Sequence, residues 1–141
     1  MLIAYGITYV STALVFLGLD AVWLTLATER LYRPLIGDML LERFNLLPAL
    51  LFYVVYINGV VVFAVSPAFN TGRWTTATLH GALLGFFAYA TYDLTNQATL
   101  RNWPVAVTVA DLCWGTTLTA FAATAGYLIA RVFAHPRRPG R

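Results

Sequence analysis

The stretch Tyr89-Ala-Thr-Tyr92-Asp93-Leu-Thr-Asn96-Gln-Ala-Thr-Leu-Arg101-Asn-Trp103-Pro104 joins two long apolar runs, and its reading decides the fold. It is too short to separate two domains. It reads instead as the end of one helix, a turn, and the start of the next, with Pro104 at a helix start, where its missing N–H costs nothing. The apolar runs on either side are too long for strands and do not alternate. If both cross a membrane, Asp93 lies where water is out of reach.

The rest of the chain supports that reading. Of its 141 residues, 60% are hydrophobic and 11% charged, and the mean hydropathy is +0.70. A soluble domain carries about a quarter charged residues, so this chain lacks the polar surface to cover a globule in water, and a bilayer is its natural solvent. A membrane helix needs about 20 mostly apolar residues. Four segments qualify: about Leu2–Thr25, Leu46–Val65, Thr75–Asn96 and Pro104–Ala130. The expected fold is all-α, an integral membrane four-helix bundle formed by residues 1–134, followed by a basic tail at 135–141. The start, Met1-Leu-Ile-Ala-Tyr5, has no positive region and reads as a retained first span rather than a cleaved leader.

The connections differ in length. Loops 67–74 and 97–103 are short, so the helices they join are antiparallel neighbours. The first connection, about 26–45, is longer. Ile36, Met39, Leu40 and Phe44 recur in it at helical spacing, with Asp38 and Glu42 off that stripe, which predicts a short amphipathic helix in the interface.

All nine basic residues are Arg. Five (Arg73, Arg131, Arg137, Arg138 and Arg141) fall on the side of the N-terminus and four (Arg30, Arg33, Arg43 and Arg101) on the other. Arginine excess marks the cytoplasmic side, so the expected placement is N-in/C-in in a bacterial inner membrane. The basic tail fits anionic lipid and is too small for nucleic acid. Membrane lipids are the expected partners, with a homo-oligomer or a larger membrane complex as further possibilities.

Apart from Glu29, Asp38 and Glu42 in the first connection, the acids are Asp20, Asp93 and Asp111. An ionisable residue at membrane depth is costly and points to function. At 1.5 Å per residue, all three lie within roughly 10 Å of the same membrane face. Asp20-Ala-Val-Trp23, Asp93-Leu-Thr-Asn96 and Asp111-Leu-Cys-Trp114 each place a polar or indole partner at i+3 on the same helix face. Gly81, Gly85, Tyr89 and Asp93 form one stripe, and Asp111, Gly115, Thr119, Ala122 and Gly126 another. Small stripes let membrane helices approach closely, which turns the acids toward neighbouring helices.

Three such carboxyls could share protons, bind a cation through oxygen ligands, or hold the polar end of a lipid or amine. They could equally be structural, with Arg101, Arg30 or Arg33 reaching inward to pair with them, and Asp93 bonding near Tyr92, Thr95 or Asn96 at a helix end. The ligand or proton-binding candidates are therefore Asp20, Asp93, Asp111, Asn96, Tyr92, Trp23 and Trp114. Asn58 fits an interhelical hydrogen bond. His80 lies about 20 Å from Asp93 along its helix, reachable only by a polar chain through Asn58. Trp74 and Trp103 read as interfacial anchors. A lone intramembrane His is no transition-metal motif, and no metal or cofactor is expected. Cys113, in an apolar run, reads as a small buried hydrophobe rather than a reactive thiol. The chain has no phosphate loop, GxSxG or HExxH motif, so an enzyme is the less favoured class.

The segments FLGLDAVWL, YRPLIGDML, PALLFYVVYINGVVVFAVSPA, GALLGFFAYATYDLTNQATLRNWP and DLCWGTTLTAFAATAGY resemble a bacterial family of predicted membrane proteins, domain of unknown function 2177. The resemblance runs from about Phe16 to Tyr127, and the Tyr-Asp-Leu-Thr-Asn block with Leu-Arg-x-Trp-Pro is its most specific part. It implies a small four-span bundle and brings no biochemical activity. Members are often encoded near genes for fatty-acid modification, which implies a lipid context. Three functions remain open: a binding or transport protein for a proton, cation or cationic solute; an accessory or enzyme of lipid modification; and a structural subunit of a larger complex.

Overall fold

In a computed structural model that describes residues 2–133, every regular element is helical. The chain runs α1 (Leu2–Ala27), a π turn (Thr28–Tyr32), α2 (Arg33–Ile36), a 3-10 turn (Gly37–Met39), α3 (Leu46–Val60), a second π turn (Val61–Val65), α4 (Ser66–Thr71), α5 (Trp74–Thr99) and α6 (Val105–Phe133). The basic tail with His135, Arg137, Arg138 and Arg141 lies outside the described residues.

Three helices are long and apolar enough to cross a membrane: 3–39, Leu46–Thr71 and Val105–Phe133. The segment expected to be a further span forms α5, a 26-residue helix. Its threonines, His80, Asp93, Asn96 and Gln97 keep it more polar than the other three.

The first connection differs from expectation. No separate amphipathic helix forms there, because the first helix continues past Thr25 through the π turn and α2 as far as Met39. Ile36 is buried, whereas Met39 and Phe44 are exposed. Both π turns have the same local cause. Pro34 follows the first and Pro67 the second, and a proline inside a helix lacks an N–H and clashes with the carbonyl four residues back. A widened turn just before the proline lets the helix continue. At Pro67 the orphaned carbonyl is that of Phe63, and His80 Nδ1 on α5 lies 3.1 Å from it. That contact gives His80 a structural role, away from the acids.

Helix α4 ends at Gly72, in the left-handed region with φ 67°, as a C-terminal glycine commonly is. The turn between α5 and α6 places Asn102 at φ 58°, a conformation that asparagine tolerates better than most residues. Trp103 Nε1 donates to Thr108 Oγ1 at 3.1 Å, and Thr108 Oγ1 donates to Gln97 at 3.0 Å, fastening the turn.

Helices α5 and α6 run antiparallel in the closest packing of the molecule. A Cβ on Gly81 would lie 2.7 Å from the Thr119 carbonyl oxygen, and one on Gly85 would run into the backbone of Gly115. Gly115 in turn makes room for the Tyr89 ring. Helix α1 lies against the other side of α6, with Thr12 facing Gly126 and Phe16 buried beside Leu118 and Ala122. Helix α3 leans on α1: Tyr5 donates to Asn58 Oδ1 at 2.5 Å, and Phe16 packs against the rings of Tyr53 and Tyr56. Asn58 thus makes an interhelical hydrogen bond. Leu14, Val55, Phe63, Leu79, Phe87 and Phe121 are among many large apolar side chains left exposed.

Cys113 is also exposed, which corrects its reading as a buried hydrophobe. In a helix whose outer face meets lipid, an apolar run does not imply burial in protein.

Candidate functional site

The three acids singled out from the sequence come together on α1, α5 and α6, with α3 alongside. All are buried: Asp20 is 6% exposed, Asp111 8% and Asp93 0%. Their positions follow from helix geometry. Asp93 continues the small-residue stripe of Gly81 and Gly85 by whole turns, and Asp111 precedes Gly115 by one, so the seam that brings α5 against α6 also sets the two carboxyls facing each other.

Asp20 is well satisfied. Tyr53 donates to its Oδ2 at 2.7 Å and Trp114 Nε1 to its Oδ1 at 3.3 Å. Asp111 accepts from the Tyr32 hydroxyl, and that hydroxyl accepts from Trp23 Nε1 at 3.0 Å. The rings of Trp23 and Trp114 stack 4.6 Å apart at 8°. Asp93 differs from both: no hydroxyl, indole or backbone donor reaches its carboxyl oxygens among the described residues, and the group it faces is the Asp111 carboxyl, with which it hydrogen-bonds only when one of the two holds a proton. An unsatisfied buried polar group costs about 1–3 kcal/mol, more when charged.

A cavity of about 380 Å³ lies against this cluster. Asp20 and Asp111 line it, and Trp23, Tyr32, Tyr53, Tyr89 and Trp114 form aromatic walls. Ile36, Leu40 and Trp103 form the wall nearest the connecting loops. Trp103, expected to be an interfacial anchor, thus contributes to the cavity.

Of the other residues singled out from sequence, Trp23 and Trp114 line the cavity. So does Tyr92, 60% exposed and edge-on to Trp103 at 6.1 Å. Asn96 does not, and its backbone carbonyl instead accepts from Leu100 at the end of α5. The arginines stay away. Arg33 pairs with Glu29 at 3.0 Å on an exposed helix face, Arg30 and Arg101 are exposed, and among the described residues no ion pair reaches Asp20, Asp93 or Asp111. Also among the described residues, no three His, Cys, Asp or Glu side chains are arranged to share a metal ion.

Sequence reasoning missed Tyr32 and Tyr53 as partners of the acids and Tyr89 as a wall of their cavity. Tyr32 fell in what read as a loop, and the π turn is what carries it to Asp111. Tyr53 did carry a signal, since a phenol at membrane depth needs an acceptor and carboxyls are the scarce acceptors there.

Among curated proteins and among solved structures, nothing matches the chain. The family described as predicted membrane protein, DUF2177, matches residues 5–128. The chain belongs to that family.

Proposed function

We propose that this protein crosses a membrane four times and binds an organic cation, an ammonium group, in the acid-lined aromatic cavity. The observation that carries the reading is the charge imbalance: Asp20 and Asp111 line one cavity, Asp93 faces Asp111, and among the described residues no arginine pairs with any of the three. Buried charge without a partner is expensive, so a cation belongs to the site. The aromatic walls favour an organic one. Indole and phenol rings attract ammonium groups through their faces, by about 0.5–1 kcal/mol each when exposed and about 2 when desolvated. Asp20 and Asp111, each already held by tyrosine or tryptophan donors, are fixed in position to supply long-range attraction.

Helix α5 is the least apolar of the four spans, yet most of its threonines are accounted for. Thr78, Thr91, Thr95 and Thr99 each bond the carbonyl four residues back, which removes much of the cost of a hydroxyl in hydrocarbon. Asp93 is turned inward. The arginine distribution favours N-in/C-in in a bacterial inner membrane. A second reading rests on the facing Asp93 and Asp111 carboxyls: such a pair can take up or release a proton as the cation leaves or arrives.

The test is a titration of the purified chain with tetramethylammonium, followed by tryptophan fluorescence from the stacked Trp23–Trp114 pair. Saturable quenching is expected. Asp20→Asn or Asp111→Asn should weaken it by about tenfold or more, equivalent to at least about 1.4 kcal/mol. Equal affinity in wild type and both variants would remove the acids from the function.

A further inference from the structure

The acid cavity has a side branch. A second cavity of about 300 Å³ is lined by Phe52, Tyr56, Ala88, Tyr89, Tyr92 and Asp111. Phe52, Tyr89, Tyr92 and Asp111 line both spaces. The branch lies between α3 and α5. These helices pack together through 61–65, beside Ala77 and Leu84, rather than higher up. Above that level α3 follows α1, to which Tyr5, Tyr9 and Tyr53 tie it, and a cleft opens between α3 and α5 at the depth of the acids.

The surface around its mouth is apolar: Leu51 and Val55 are exposed on α3 beside Phe52, and Tyr92 is itself exposed. Ala88 is about 16 Å from the end of α5 by helical rise, which puts the mouth against acyl chains. At the opposite, loop-side end the cavity is lined by Ile36, Leu40 and Trp103, and a polar space beside Arg33 and Glu42 shares Leu24, Tyr32 and Leu40 with it. Building on the proposed cation site, we infer that the ligand reaches it sideways from the bilayer and is an amphiphile. Its ammonium head sits among Asp20, Asp111 and the aromatic rings, and its alkyl chain lies in the cleft between Phe52, Tyr56, Ala88 and Tyr92. Charge complementarity narrows the class further. Asp111 lines both spaces and no arginine lines either, so a cationic head suits them. The ligand is therefore a long-chain amine or quaternary alkylammonium.

A hexadecyltrimethylammonium carrying a diazirine in mid-chain tests this, with the full-length protein in vesicles of a zwitterionic phospholipid. After photolysis, peptides containing Phe52, Tyr56, Ala88 and Tyr92 should be labelled about tenfold over the outward face of α6 at Leu128 and Val132, a preference of about 1.4 kcal/mol. Ala88→Trp, which plugs the mouth, should bring labelling down to the level of that outer face. Ala88→Leu should do so in part, and it serves if the tryptophan variant fails to fold. Even labelling of all outer faces, or labelling indifferent to both substitutions, overturns lateral access. The simple head separates the two claims. If tetramethylammonium quenches saturably while labelling is even, only lateral access falls. If tetramethylammonium does not bind, the cation site itself falls, and this inference with it.

Discussion

Gly85→Ala should destabilise the protein and loosen its site, whereas Gly18→Ala should do neither. At Gly85 an added methyl would overlap the Gly115 carbonyl oxygen and lie 2.8 Å from both the Gly115 carbonyl carbon and Thr119 Oγ1. Two of these three atoms are backbone, which cannot rotate aside, so α5 and α6 must separate. Overpacking of this kind costs about 1–3 kcal/mol. At Gly18 the same methyl meets nothing within 4 Å, and it gains slightly in helix propensity. At about 2–4 °C per kcal/mol for a chain of roughly this size, the two variants should differ in melting temperature by roughly 2–12 °C. The same displacement moves Asp93 away from Asp111, so tetramethylammonium affinity should fall in Gly85→Ala and hold in Gly18→Ala. The assay is thermal unfolding of both variants in one detergent, with the ammonium titration alongside. Equal melting temperatures would refute the claim that this seam sets the α5–α6 distance. A large drop in stability with unchanged affinity would separate the seam from the site.

Other predictions concern single contacts. Tyr53→Phe removes the donor to Asp20 Oδ2 and should cost about 1–3 kcal/mol in chemical or thermal unfolding, because a buried acceptor is left short; a cost near zero would show that water replaces the phenol. His80→Ala should destabilise by about 1 kcal/mol through loss of the bond to the Phe63 carbonyl, and by clearly less in a Pro67→Ala background, where a backbone N–H becomes available; an equal cost in both backgrounds contradicts the link between the histidine and the proline. Asp93→Asn should keep the fold, measured by gel filtration and melting, while weakening ammonium binding by about tenfold, or about 1.4 kcal/mol; retention of wild-type affinity would leave the unpartnered carboxyl without a role. Cys113, exposed but at membrane depth, should react slowly with maleimide in vesicles and quickly in denaturing detergent, because the thiolate is the reactive form and hydrocarbon does not support it; fast reaction in vesicles would place that face in water.

The helices and the facing of Asp93 and Asp111 across one seam were legible in the sequence for definite reasons. Long apolar runs and Pro104 mark helices, and the small-residue stripes through Gly81, Gly85 and Gly115 mark the seam that Asp93 and Asp111 extend. What was hidden depended on events between turns. The first span was expected to end near Thr25, yet a π turn carries the helix onward and swings Tyr32 onto Asp111. Arg101 looked close enough in sequence to pair with an acid, but it stays on the exposed turn while Trp103 covers the cavity. Cys113 shows the limit of hydropathy in a membrane helix, where apolar character fits lipid contact as well as burial.

The most direct measurement of the central claim is an anomalous diffraction map of crystals grown with tetramethylarsonium, a quaternary cation whose arsenic scatters anomalously. The account predicts one arsenic peak inside the cavity, close to Asp20 and Asp111 and within about 6 Å of an aromatic ring centroid at Trp23, Tyr89 or Trp114. An empty cavity at saturating ligand, or an arginine side chain occupying that place beside the carboxyls, would contradict it.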